Sequence, residues 1–479
     1  MARQSFDYDW EFTERFEETL CGASVPAGKL ESIDLPHSNT KMPYHYFPVS
    51  CYQMVCGYRK LFFAENTWKG RRVFLTFEGV AHAAEVYLNA QKIEEHQGGY
   101  TSFCVELTKQ LLYGEKNVLA VKVDSRESLD IPPFGNVIDY MTYGGIYRSV
   151  ILEVKETVYI QDVYIQTPEV LPEKKKIDVQ ITVNEEAEHL TVRQSILDGT
   201  NRIHVQEAPV TGLVTKMTAE LLPVRLWDIE DPKLYSLLTV LYKDGKELDR
   251  KETVFGFRTC EFRKDGFYLN EKRIKIRGLN RHQCYPYCGY AMPKAMQEED
   301  ARILKEELAV NAVRTSHYPQ DQSFYDACDR LGLLVFTELP GWQHIGGEAW
   351  KETACASVRE MVLQNRNHPS VILWGVRINE SQDDDEFYKK TNQIAHQLDP
   401  SRQTSGVRFF HKSSLLEDVY AYNDFSHTGD NPGVEEKKEV TPDPDQAYLI
   451  SEYNGHMFPT KAFDDEGHRL AHALRHARV

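Results

Sequence analysis

The chain has 479 residues, 41% of them hydrophobic and 27% charged, ordinary proportions for a globular protein, and at about 150 residues per domain it should divide into roughly three. Its net charge of −16 leaves no basic surplus to meet phosphates, which argues against a nucleic-acid or anionic-membrane partner. The start, MARQSFDYDWEF, carries no apolar core of signal-peptide length and no run approaches a membrane span, so a cytoplasmic location is expected.

Residues 1–155 read as short strands and turns. RRVFLTFEGV, AEVYLNAQKI and NVLAVKVDS cluster β-formers between Gly-, Asn- and Lys-rich turns, and the one helical stretch expected is a short piece near Thr108–Tyr113. This pattern predicts an antiparallel β-sandwich. Residues 156–258 form a second all-β segment, in which Lys243-Asp244-Gly245-Lys246 between two apolar runs is a hairpin signal. About a hundred residues with seven or so strands fits an immunoglobulin-like sandwich.

From residue 259 the period changes. RIKIRGLN, AVNAVRTSHYP, GLLVFTELP, SVILWGVRINE, SGVRFF, EDVYAYN and AYLISEYN read as strands. Helices are expected at MQEEDARILKEEL, QSFYDACDRLG, Ala349–Gln364, EFYKKTNQIAHQLD and the terminal HRLAHALRHARV. Strand–helix alternation through seven strands over residues 259–479 predicts most of an eight-fold β/α barrel. No stretch supplies an eighth strand before Val479, so either the barrel is truncated before its eighth strand or it is completed some other way. The acidic run Gln382–Glu386 suits the cap and first turn of the next helix better than a metal. The nine cysteines have no framework spacing. Cys284 and Cys288, which flank a Tyr-Pro-Tyr, lack a second pair for a zinc site, so reduced thiols are expected.

The stretch Asn365–Ser381 holds the chemistry. Its apolar run, bounded by Pro369 and Gly375, reads as a fully buried strand that stops on Asn379-Glu380. In parallel barrels the reactive groups sit at the carboxyl ends of the strands. Glu380 would end the fourth strand and Glu452 the seventh. Two carboxylates facing one barrel mouth are what glycosidic cleavage needs: one protonates the leaving oxygen, the other attacks the anomeric carbon or activates water.

These residues lie in two spaced motifs: Asn311-Ala-Val-Arg-Thr-Ser-His317-Tyr-Pro319 with Phe324-Tyr325, Asp329 and Gly332, and Asn365-Arg-Asn-His-Pro-Ser-Val-Ile-Leu-Trp374-Gly with Asn379-Glu380. On them the chain resembles glycoside hydrolase family two, the group of β-galactosidases, β-glucuronidases and β-mannosidases, over nearly its whole length. The resemblance implies Glu380 as general acid/base, Glu452 as nucleophile and Asn379 on the substrate's 2-hydroxyl. It also implies that the first sandwich is a sugar-binding jelly roll, with His282 and His317 as sugar-binding groups and Asp139, lent by that sandwich, on the outer hydroxyls of a terminal sugar. Trp342 is a weaker candidate for sugar stacking. The family's magnesium site uses a Glu-x-His where this chain has Trp342-Gln-His344, so neither metal nor other cofactor is expected. Its active-site tyrosine falls among Tyr420, Tyr422 and Phe425, with Tyr422 preferred. Strand alternation puts Arg377 on the side of Asn379, where a guanidinium would suit a uronic acid; a pairing with Glu338 is the alternative. The reading is a retaining exo-acting β-glycosidase, β-galactosidase-like, with an oligosaccharide or glycoside as partner and homo-oligomerisation left open. The alternatives are a β-glucuronidase or β-galacturonidase, and an inactive truncated relative that only binds sugar.

Overall fold

The computed structural model describes residues 2–23, 30–43, 47–135, 138–221, 224–426 and 434–453, with 465–467, 469, 470 and 474 beyond them. The first domain stacks two antiparallel sheets. One runs in the order Ala2–Ser5, Val150–Lys155, Arg72–Phe77, Phe103–Glu106. The other runs Glu31–Ile33, Trp10–Thr13, Val55–Phe63, Lys116–Asp124, Ala83–Leu88, Gln91–Gln97. Their facing side chains, among them Trp10, Tyr58, Leu75, Phe77, Val86 and Val121, form one buried core. The helix expected at Thr108–Tyr113 is a pair of turns instead. The Asn117 side chain bonds both the N–H and the C=O of Leu112, at 2.8 and 3.0 Å, so the backbone groups that a helix would use are already taken.

The second domain is a three-stranded sheet, Ile160–Glu169, Lys175–Val183 and Val214–Leu221, over a four-stranded one, Asn201–Pro209, Leu190–Asp198, Tyr235–Lys243 and Lys246–Phe255. Period-two burial is clean along Lys175–Val183, where Ile177, Val179, Ile181 and Val183 point inward. At the expected hairpin Lys243 pairs with Lys246, and Asp244 and Gly245 take φ of 50° and 77°. Two consecutive positive φ values match the twist of the flanking strands.

The third unit is a parallel sheet of seven strands in sequence order: Gly278–Asn280, Ala312–Thr315, Leu334–Glu338, Val371–Arg377, Gln403–Arg408, Val419–Asp424 and Ala447–Tyr453. The second to the sixth are almost wholly buried because helices cover their outer face. Those helices are Lys294–Arg302, Gln322–Leu331, Glu348–Asn365 and Asp385–Leu398. Asp384 caps the last of them by accepting from Phe387 N at 3.1 Å, the role expected of the acidic run. RIKIRGLN, expected as one strand, splits: Lys272–Ile274 pairs antiparallel with Gly266–Leu269 in a small separate sheet, and only Gly278–Asn280 joins the barrel. Gly278 lies so close to the second strand that a Cβ there would stand 2.8 Å from Ala312 O. The terminal helix expected at HRLAHALRHARV lies outside the described residues apart from Arg469, Leu470 and Leu474, which are helical.

Two buried tethers hold the sandwiches on the barrel. Arg148 of the first domain donates to Tyr100 O at 3.0 Å within its own domain, and to Gln283 Oε1 and Pro319 O of the barrel at 3.0 and 2.8 Å. Beside it a tyrosine layer joins the domains, with Tyr100 stacked on Tyr318 at 4.4 Å and Tyr143 and Tyr147 against Tyr290. Much of the tyrosine-rich composition is therefore spent on this interface. On the far side, fully buried Asp399 accepts from Tyr164 Oη of the second domain at 2.7 Å, from Trp374 Nε1 at 3.0 Å and from Arg402 Nη1 at 2.5 Å. Burial alone would raise its carboxyl; Arg402 and these donors override that and hold it down at about 2.

A carboxylate depressed below its unfolded value contributes stability that is complete above pH 4 and fades as the pH falls toward 2, here about 2 kcal/mol. Asp399→Asn leaves Arg402 buried without a counter-charge and should cost on the order of 3–5 kcal/mol in urea unfolding. The variant should also lose less stability than the unaltered protein between pH 4 and pH 2.

Candidate active site

The carboxyl ends of the barrel strands converge on one polar cluster with Arg314 at its centre. Arg314, 5% exposed, sits near the end of the second strand. Its Nε and Nη2 grip Glu338, at the end of the third strand, at 3.0 and 2.8 Å. Its Nη1 reaches Glu452 Oε1 at 2.5 Å, and Nη2 also donates to Asn379 Oδ1 at 2.9 Å. One planar guanidinium thus fixes side chains from the third, fourth and seventh strands, which its forked geometry suits. Burial alone would raise the Glu338 carboxyl; Arg314 and His317 override it and keep it below the ordinary carboxylate value.

Glu380 follows the fourth strand at φ 56°, a left-handed conformation in which a residue with a Cβ is held only by its surroundings. Its N–H bonds Val407 O at 3.0 Å, and its carboxylate accepts from Asn423 Nδ2 at 2.9 Å and Gln343 Nε2 at 3.1 Å. Asn423 also reaches Asn379 Oδ1 at 3.3 Å, so a continuous chain runs from Glu380 through Asn423, Asn379 and Arg314 to Glu452. With Asn379 Oδ1 occupied twice, its buried Nδ2 has no hydrogen-bond partner among the described residues. Glu380, Glu452 and Asn379 therefore share one mouth.

His317 Nδ1 donates to Glu338 Oε1 at 2.7 Å, which turns its Nε2 toward Glu452 Oε1, 4.0 Å away. His282 bonds Tyr318 Oη through Nδ1 at 3.1 Å, and its ring lies 5.6 Å from that of His317. Burial, and then the cationic neighbours, lower His282 to about 3, so it is a neutral imidazole that can donate or accept. Asp139 arrives from the first domain. Loss of surrounding solvent raises its carboxyl, and the nearness of Glu452 and Glu380 adds to the rise. The neighbouring Tyr140 ring packs 5.2 Å from His282 and 5.8 Å from His317.

Trp342 forms a parallel bridge with Asn379 and is partly buried beside the mouth. Two expected residues lie elsewhere. Arg377 does not share the side of Asn379: the strand, already shifted in register between Gly375 and Arg377, ends at Arg377, so its alternation does not extend to Asn379. Its guanidinium is buried against the Tyr388 ring at 4.7 Å and pairs with Asp383 at 2.6 Å, not with Glu338. Tyr422 packs with Tyr420 and Val440 on the outer side of the sixth strand, 5.8 Å from His411, and Asn423 is the residue that strand turns to the mouth. Residues 342–344 offer an indole, an amide whose Nε2 bonds Glu380 and an imidazole, without the second carboxylate that a hard magnesium ion favours.

Sequence reading passed over Arg314, Asn423, Gln343 and Tyr140. All four stand beside residues that were singled out, and the available signal was position: Arg314 and Asn423 lie at strand ends. Between the first and seventh strands the mouth continues into a cavity of about 240 Å³ lined by Gly278, Leu279, Asn280, Arg314, Glu452 and Tyr453.

Comparisons with known proteins agree along the chain. Residues 38–156 match the sugar-binding domain of glycosyl hydrolases family 2, residues 158–258 match that family's middle domain, and residues 260–472 match its TIM-barrel domain. The β-galactosidase of Thermoanaerobacterium thermosulfurigenes is 45% identical over 98% of this chain and 67% of that protein. The β-glucuronidase of Bacteroides fragilis is 33% identical over 79% of this chain and 58% of its own length. A solved β-glucuronidase of Bacteroides uniformis superposes with a TM-score of 0.85 at 25% identity, over 98% of this chain and 62% of that one. The chain thus spans about two thirds of the length of the curated β-galactosidase it matches.

Two outcomes follow from the electrostatics. Arg314→Ala strands the buried Glu338 charge and should lower stability by on the order of 3–5 kcal/mol in urea unfolding, more than Glu338→Gln with Arg314→Ala combined. The His282 ring resonances should not titrate between pH 5 and pH 8 in NMR, because its charged form is confined to the acid side of that range.

Proposed function

The chain belongs to glycosyl hydrolase family 2, and from that premise we propose that it hydrolyses terminal, non-reducing β-linked sugars, β-galactosides first, with retention at the anomeric carbon. The observation that carries the reading is the hydrogen-bonded chain that brings Glu380 and Glu452 to one mouth through Arg314, Asn379 and Asn423. In the first step Glu452 attacks the anomeric carbon while Glu380 gives its proton to the leaving oxygen. In the second, Glu380 takes a proton from water and the glycosyl–Glu452 ester is hydrolysed. Arg314 holds the attacking carboxylate in place, and the open Nδ2 of Asn379 suits a 2-hydroxyl whose bond strengthens as positive charge develops on the ring. Asp139, His282 and His317 supply polar groups for the outer hydroxyls of a single terminal sugar, which supports exo action.

A neutral sugar fits better than a uronate. Arg377 is turned away onto Asp383 and Tyr388, and Arg314 is engaged by Glu338 and Glu452, so both guanidiniums are committed before a substrate carboxylate arrives. The β-galactosidase relative at 45% identity points the same way. The nine unpaired cysteines support a reducing, cytoplasmic setting.

A panel of aryl β-glycosides tests the substrate: turnover of the galactoside should exceed that of the glucuronide and galacturonide, and cleavage of uronides alone would refute the galactoside choice. Glu452→Gln should remove turnover by at least about four orders of magnitude while leaving sugar binding measurable by calorimetry. Undiminished activity would take the nucleophile role from Glu452. Glu380→Gln should slow poor leaving groups far more than activated aryl ones, since only the former need the proton.

A further inference from the structure

The described cluster accounts for the sugar that is released from its bond, but not for what that sugar is released from. We propose that Phe409, just beyond the fifth barrel strand, is the stacking platform for the leaving group, taking the flat apolar face of an aryl or pyranose ring. The inference rests on the glycosidase reading above. The leaving oxygen must lie beside the general acid, so the leaving group extends toward the elements next to Glu380 and away from Glu452, His282 and His317. The neighbour of Glu380 on that side is the fifth strand, because Glu380 N bonds Val407 O at 3.0 Å.

Along that strand the inward side is fixed. Val407 packs in the barrel interior with Phe336 and Ala421, whereas Thr404 and Arg408 face the helices and loops outside. Phe409 follows Arg408, the last residue of that strand, and stands two residues and about 7 Å beyond Val407, at the carboxyl end where the mouth opens. It is 43% exposed and belongs to no core cluster among the described residues.

The platform is also rigid. The Phe410 ring braces it edge-on at 5.9 Å and 77°. Phe410 O accepts from Ser413 Oγ at 3.2 Å and Tyr420 Oη at 3.4 Å. Immediately before it, the buried Arg408 guanidinium binds Gly406 O, Ser414 O and Glu417, which pins both ends of the following loop. A ring presented at little entropic cost is what a sugar or aryl face requires.

The test compares phenyl and methyl 1-thioglycosides, which are bound but not cleaved, of the sugar that the aryl panel selects. The unaltered protein should bind the phenyl compound about tenfold more tightly by calorimetry, and Phe409→Ala should abolish that preference without changing affinity for the methyl compound. Phe409→Trp should keep it, and turnover of the glycosyl fluoride, which has no leaving ring, should be unchanged in both variants. An aryl preference that survives Phe409→Ala, or equal weakening of both ligands, overturns the subsite while leaving the glycosidase reading intact. A panel that yields no substrate defeats that reading and the subsite with it.

Discussion

The site depends on a buried guanidinium shared among three acidic or amide partners. Arg314 carries five N–H donors in one plane, and Glu338, Asn379 and Glu452 use that fork from three different strands. A charge this deep is tolerated only with its counter-charges in contact. Glu338 balances it from below and is itself held by His317, so Glu452 meets a cation whose position is already set. The lysine alternative, a point charge on a flexible stem, would not fix three strands in one geometry.

The same economy governs the two carboxylates of the mouth. Glu380 is placed by a left-handed backbone and by two amide side chains, Asn423 and Gln343; Glu452 is placed by an ion pair. One sits among neutral donors, the other beside a cation. The two identical side chains therefore meet different electrostatic surroundings. The first sandwich completes the arrangement: Arg148 and the stacked tyrosines lock it to the barrel loops, and this carries Asp139 and Tyr140 over His282 and His317.

Where sequence and structure part, the cause is local backbone geometry. Parity along the fourth strand predicted that Arg377 and Asn379 share a face; the strand, shifted in register at Gly375–Arg377, ends at Arg377 and the parity does not reach Asn379, and the cation that argued for a uronate became a support for the next helix. The sixth strand offered two tyrosines by residue type, yet its asparagine is the side chain that meets Glu380. A bulge leaves no mark in residue identity, and an amide in an aromatic-rich run is easily overlooked.

Sequence by itself determined the order of the three folded units, the seven strands of the barrel and the two glutamates, because burial periodicity and strand-end position are written in short-range pattern. Only the tertiary structure decided which polar side chains join those glutamates. Arg314, Gln343 and Asn423 come from three separate segments of the barrel, and their bonds depend on distances that no spacing along the chain encodes.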